Sequence, residues 1–168
     1  MLDPIAQKIY VFGSADALYK AMASHLAELI IAREGAQDNF NLVLSGGQTP
    51  RPLYILLAKN YRKTLPWDRV RLYWGDERCV PQDNPESNYW MVQQTLLNEL
   101  PILPKNVFPM PASQADPEEA ALSYEASLKT HFRTEWPRFD LILLGLGADG
   151  HTEIGGMTRP VSTASTLR

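Results

Sequence analysis

The chain has 168 residues, 45% hydrophobic and 21% charged, with a formal net charge of −3. That length suits one domain with a sizeable core, and that balance argues against a general binder of nucleic acid or anionic membrane. A single cysteine, Cys79, excludes an intrachain disulfide and fits a reducing compartment. The segment Met1–Lys8 lacks the cationic start and apolar core of a secretory signal. No apolar run approaches the roughly 18 residues of a membrane span, so the sequence reads as soluble and cytoplasmic.

In chain order, Lys8–Phe12 is a short β-prone run. Ser14 is a candidate N-cap, and Leu18, Met22, Leu26, Leu29 and Ile30 recur at helical spacing, with Gly35 as the stop. Phe40–Leu44 predicts a second strand. Thr49 is placed to cap a helix with Pro50 at its first position, running on through Leu53, Leu56 and Leu57. Val70–Trp74 predicts a third strand, and Ser87 caps a helix carrying Met91, Val92, Leu96 and Leu97. A short strand is expected at Val107–Phe108 within a proline-rich stretch. Asp116-Pro-Glu-Glu119 has the pattern of a helix start, and that helix should run to about Phe132. Phe139–Leu144 is the last expected strand, a continuous apolar run that reads as buried on both faces. Strands thus alternate with helices. The pattern implies an α/β fold, a doubly wound and mostly parallel sheet with helices on both faces.

Chemistry-bearing residues sit at three predicted strand ends, where open α/β sheets bind ligands. In Ser45-Gly-Gly-Gln-Thr-Pro50 the paired Gly46 and Gly47 expose backbone N–H groups just before a helix begins. Ser45 and Thr49 add hydroxyls and Arg51 adds charge. The loop suits an anion such as phosphate, although a glycine pair by itself is more often a plain strand-to-helix turn. In Gly75-Asp-Glu-Arg-Cys79, Asp76, Glu77 and Arg78 could hold a polyol and a phosphate, or could be an ion pair that orders the loop. In Gly145-Leu-Gly-Ala-Asp-Gly-His151, His151 is a candidate general base with Asp149 beside it, although a lone histidine is often structural.

Several other readings fail. Gly145–Gly150 matches G-x-G-x-x-G, but a dinucleotide site needs a following helix and an acid about 20 residues on. Ser45 is not a nucleophile elbow, because Val43 stands where the first glycine of G-x-S-x-G belongs. Cys79 beside Arg78 is more simply an inert thiol than an activated one. His25, His131 and His151 have no metal-ligand spacing, and the first two read as structural. The aromatic residues, Tyr73, Trp74, Tyr89 and Trp90 among them, read as core and pocket wall.

Three segments in this order resemble the 6-phosphogluconolactonases: Leu44-Ser-Gly-Gly-Gln-Thr-Pro50; Trp74-Gly-Asp-Glu-Arg78 with Pro81 and the pair Ser87-Asn88; and Gly145-Leu-Gly-Ala-Asp-Gly-His-Thr152. The resemblance implies hydrolysis of 6-phospho-D-glucono-1,5-lactone to 6-phosphogluconate in the pentose phosphate pathway, with no organic cofactor and no metal. It also implies the fold shared with the glucosamine-6-phosphate deaminases. Carried over by position, Ser45, Gly46, Gly47 and Thr49 would hold the substrate's phosphate, and Arg78 would add a cationic contact. Asp76 and Glu77 would shape the polar pocket. His151 would take a proton from the attacking water, and Asp149 would orient it. The partner implied is a small phosphorylated sugar lactone, not nucleic acid or membrane.

The resemblance stops at Thr152. Members of the family continue there with Ala-Ser-Leu-Phe-Pro, whereas this chain has Glu153-Ile-Gly-Gly-Met157 and a tail rich in serine and threonine to Arg168. The sequence therefore predicts an incomplete domain over residues 1–152, a divergent and disordered tail over 153–168, a poorly covered last strand, and reduced or lost activity. Two other functions stay open at this point: a glucosamine-6-phosphate deaminase or isomerase, and a non-catalytic phosphosugar-binding remnant.

Overall fold

The computed structural model describes residues 8–33, 39–113 and 116–147. Helix α1 spans Ala15–Ala32, capped by Ser14, whose Oγ accepts the Ala17 N–H. Strand β1 follows at Phe40–Leu44, helix α2 at Arg51–Tyr61 and strand β2 at Val70–Trp74. Helix α3, Asn88–Val92, is capped by Ser87 and continues as a π-helical turn over Gln93–Leu97. There Thr95 Oγ1 donates to the Met91 carbonyl at 2.7 Å. Strand β3 is the pair Val107–Phe108. Helix α4, Pro117–Phe132, has Asp116 as its cap, with Oδ1 accepting the Glu118 N–H. The last strand, β4, is Leu141–Ile142.

The sheet has the order β3-β2-β1-β4, and every pair is parallel. The register aligns Phe40 with Val70, Leu42 with Leu72 and Leu44 with Trp74. These side chains share one face of the sheet. They pack with Leu26 and Ile30 of α1, Leu53, Tyr54 and Leu57 of α2, and Val92 and Leu96 beyond them. Each fully buried leucine in this layer contributes roughly 1.5–3 kcal/mol by leaving water. On the opposite face α4 lies against β2 and β3. Tyr73 stacks on Phe108 with ring centroids 4.9 Å apart, and it meets Phe132 and Phe139 at 5.5 and 5.1 Å. Helices therefore cover both faces, as the alternation predicts.

Asp140 pins β4 to β1. Its carboxylate accepts the Asn41 N–H at 2.8 Å and pairs with Arg33 at the end of α1. The ladder continues through Asp140 N–H to Asn41 O and Leu143 N–H to Val43 O.

Four expectations need correction. Lys8–Phe12 forms no strand: Ile9 and Val11 are 87% and 91% exposed, and β propensity without a pairing partner does not make a strand. Thr49 does not cap α2. The helix begins one residue later, Pro50 holds the cap position, and no side chain bonds there. The last strand is short, Leu141–Ile142 rather than Phe139–Leu144. It is also not buried on both faces. Leu141 and Leu143 pack on the core, but Ile142 and Leu144 are 47% and 52% exposed, Ile142 on the α4 face of the sheet beyond where α4 extends. The stop expected at Gly35 and the tail 153–168 lie outside the described residues.

Candidate active site

Because all strands run in parallel, their carboxyl ends share one rim, and three loops leave it. The first follows β1. Ser45 is buried, and its backbone is held from α2: the Ser45 N–H donates to Tyr54 Oη at 3.1 Å, and Tyr54 Oη donates back to the Ser45 carbonyl at 2.7 Å. Gly47 adopts φ +82°, the left-handed region open to glycine, which turns the chain toward α2. Gly47, Gln48 and Thr49 stand exposed at the mouth. An open groove of about 510 Å³ leads from Gln48 along α2 past Arg51, Ile55 and Lys59.

The second loop follows β2. The Gly75 N–H donates to the Leu44 carbonyl at 3.0 Å, so this loop starts alongside the first. Glu77 is buried and faces away from solvent. Its carboxylate accepts the N–H groups of Arg78, Asn88 and Tyr89 at 2.8, 2.6 and 2.8 Å and the Ser87 hydroxyl at 3.1 Å. It thus collects donors at the first turn of α3, which a helix leaves without internal partners. Arg78 is exposed.

Asp76 stands between these groups. Its Oδ1 and its carbonyl accept the Asn88 side-chain amide at 3.1 and 3.2 Å, and the Gly46 N–H reaches its carboxylate. Burial raises its carboxyl above the usual carboxylate range, and the Arg78 charge opposes this. Glu77 pushes it further up, while the Asn88 and Gly46 hydrogen bonds favour the charged form. A half-buried acid poised this way at a sheet rim has the electrostatics of a functional carboxylate.

The third loop leaves β4 at Leu143–Gly147, at the same rim. Asp149 and His151 lie outside the described residues. The structure therefore brings together Ser45, Gly46, Asp76 and Glu77, sets Gly47 and Thr49 at the mouth, and leaves Arg78 exposed with its charge acting on Asp76.

Sequence reasoning did not find the roles of Tyr54, Asn88 and Tyr124. Tyr124 Oη, from α4, accepts the Trp74 N–H and donates to the Phe108 carbonyl, tying the ends of β2 and β3 as Tyr54 ties the end of β1. Each tyrosine sits on the apolar stripe of its helix, so periodicity alone assigns it to the core. Asn88 stood in the motif only as the partner of Ser87.

The family model for glucosamine-6-phosphate isomerases and 6-phosphogluconolactonases matches residues 13–153, and the chain belongs to that family. Among its relatives, the 6-phosphogluconolactonase of Synechocystis sp. (strain ATCC 27184 / PCC 6803 / Kazusa) is 50% identical over 114 residues, 66% of this chain and 46% of the relative. That of Treponema pallidum (strain Nichols) is 40% identical over 147 residues, 86% of this chain and 59% of the relative. The solved 6-phosphogluconolactonase from Trypanosoma cruzi superposes with a TM-score of 0.78 at 36% identity, covering 88% of this chain and 61% of that one. The chain spans about half the length of the curated relatives it matches.

Proposed function

We propose that this chain acts in the hydrolysis of 6-phospho-D-glucono-1,5-lactone to 6-phosphogluconate, in the pentose phosphate pathway and in the cytoplasm. The observation that carries the reading is the meeting of the glycine loop and the Asp76 loop at one sheet rim, joined through Gly46, Asp76 and Asn88. The relatives named above carry the same activity in their names.

In this reading the N–H groups and hydroxyls of Ser45, Gly46, Gly47 and Thr49 bind the phosphate of the sugar, with Arg78 as a cationic contact. Asp76 holds sugar hydroxyls. Glu77 keeps the loop and α3 in place, so it shapes the pocket from behind. His151, oriented by Asp149, takes a proton from water as its oxygen attacks the lactone carbonyl. The carbonyl bond re-forms as the ring C–O bond breaks, and the ring oxygen leaves with a proton. A lactone is an activated ester, so a base worth about 10²–10⁴-fold suffices without a covalent nucleophile.

The test is lactone hydrolysis by the full chain above the spontaneous rate, with glucosamine-6-phosphate offered in parallel. His151→Ala should lower turnover by about 10²–10⁴-fold while 6-phosphogluconate still binds. Unchanged turnover in His151→Ala would remove the histidine from its role. Binding of 6-phosphogluconate with no turnover in the parent chain would leave a phosphosugar-binding protein, and deamination of the amino sugar would move the chain to the other branch of its family.

A further inference from the structure

A Cβ added to Gly46 would lie 2.0 Å from Asn88 Oδ1 and 2.3 Å from Asn88 Nδ2. The Asn88 amide thus fills the space that the missing side chain leaves, and the two loops interlock at that point. The same amide donates from Nδ2 to both the carbonyl and the carboxylate of Asp76. Asn88 is itself buried, and its backbone N–H is gripped by Glu77 at 2.6 Å. Its position is therefore set from behind by one carboxylate while its side chain sets another.

We propose that Asn88 is a positioning residue that locks the glycine loop to the Asp76 loop and holds the Asp76 carboxylate in its working place. It makes no ligand contact of its own. The proposal rests on the phosphosugar reading of this rim but is tested separately from it. Three features support it. Asn88 presents a donor where the charged form of Asp76 needs one. The close approach is possible only because position 46 lacks a Cβ. Asn88 is buried and its backbone N–H is held by Glu77, so the amide is carried on a fixed helix turn. Among the described residues the charged groups acting on Asp76 are Arg78 and Glu77, both from its own loop. The glycine loop and α3 contribute uncharged donors, Gly46 N–H and the Asn88 amide.

The experiment titrates the Asp76 carboxyl by ¹³C NMR in the full chain, as parent, Asn88→Ala, Asn88→Ser, Gly46→Ala and the double variant Gly46→Ala/Asn88→Ala. Thermal unfolding and the Kd for 6-phosphogluconate are measured alongside. Asn88→Ala should move the Asp76 titration to higher pH and weaken 6-phosphogluconate about tenfold, the loss of one well-placed hydrogen bond in the site. Asn88→Ser, which retains a smaller donor, should fall between. Gly46→Ala should lose affinity alone and lose much less more in the Asn88→Ala background, because the clash has been removed. An Asp76 titration unchanged in both Asn88 variants overturns the proposal, even if the melting temperature falls. A parent chain that does not bind 6-phosphogluconate, with the Asp76 titration still shifted by Asn88→Ala, removes the phosphosugar reading and leaves the positioning role standing.

Discussion

Tyr54 Oη both accepts the Ser45 N–H, at 3.1 Å, and donates to the Ser45 carbonyl, at 2.7 Å. One phenol from the first helical turns of α2 thereby fixes the residue that opens the glycine loop. Tyr54→Phe keeps the ring in the core and deletes only this pair of bonds. It should cost about 1–3 kcal/mol, since buried polar groups lose a partner. Urea denaturation reads the loss. A stability within a few tenths of the parent would mean that the loop is held elsewhere.

Glu77 is the anchor of the second loop, accepting three backbone N–H groups and one hydroxyl. Glu77→Gln preserves the shape but turns one end of the side chain into a donor facing donors. A loss of about 1.5–3 kcal/mol is expected, together with loosening of the α3 start. Faster amide exchange at Asn88 and Tyr89 would report it. Unchanged protection at those two amides would contradict the clamp.

Asp76 should oppose stability at neutral pH. Its folded pKa is raised, so the folded state holds its proton to higher pH than the unfolded chain does. The associated stability is present below the ordinary carboxylate range and is lost as pH rises through the folded value. Asp76→Asn should therefore raise the melting temperature more at pH 7 than at pH 4, while weakening 6-phosphogluconate binding. This is the exchange between stability and function expected of a functional carboxylate. An Asn variant less stable than the parent at both pH values would argue that the charged form is favoured by the fold.

His131 gives the opposite pH dependence. Its ring lies 4.3 Å from Phe108 and 5.5 Å from Phe132, and Nε2 is buried without a partner. Burial, with the Arg71 charge nearby, pushes its pKa below the ordinary value of about 6.5. The neutral ring is the folded form. Its contribution is complete above the unfolded pKa and declines as pH falls from there through the lower folded value. His131→Phe should flatten that acid limb of the stability profile as pH falls below about 6.5. An acid limb of unchanged slope in the variant would place the titration on another group.

Ile142 and Leu144 leave apolar surface open along β4, at the edge of the sheet beyond the part of its face that α4 covers. Ile142→Thr should reduce binding of a hydrophobic dye and lower self-association at high concentration, with little loss of fold stability. Light scattering on the two proteins compares them directly. Equal scattering would show that this face does not drive association.

Local chemistry wrote much of this fold into the sequence. Ser14, Ser87 and Asp116 cap the helices they precede, because a side-chain oxygen two or three residues before a free N–H acts within its own turn. Phe40–Leu44 and Val70–Trp74 are strands in place, since their apolar runs are buried wherever a parallel sheet forms around them. The motif residues at the ends of those strands reach a common rim for the same reason. What distance in sequence hides, only the tertiary structure decided. The β-prone Lys8–Phe12 found no neighbour among the described residues and formed no strand. Of Phe139–Leu144 only Leu141–Ile142 form the strand, with Asp140 and Leu143 bonded to β1 on either side. The fit of Asn88 into the space beside Gly46, and the reach of Tyr54 and Tyr124 to strand ends, depend on how separate elements pack. Periodicity reports which side of a helix is apolar; it does not report which backbone atom a buried hydroxyl or amide will meet there.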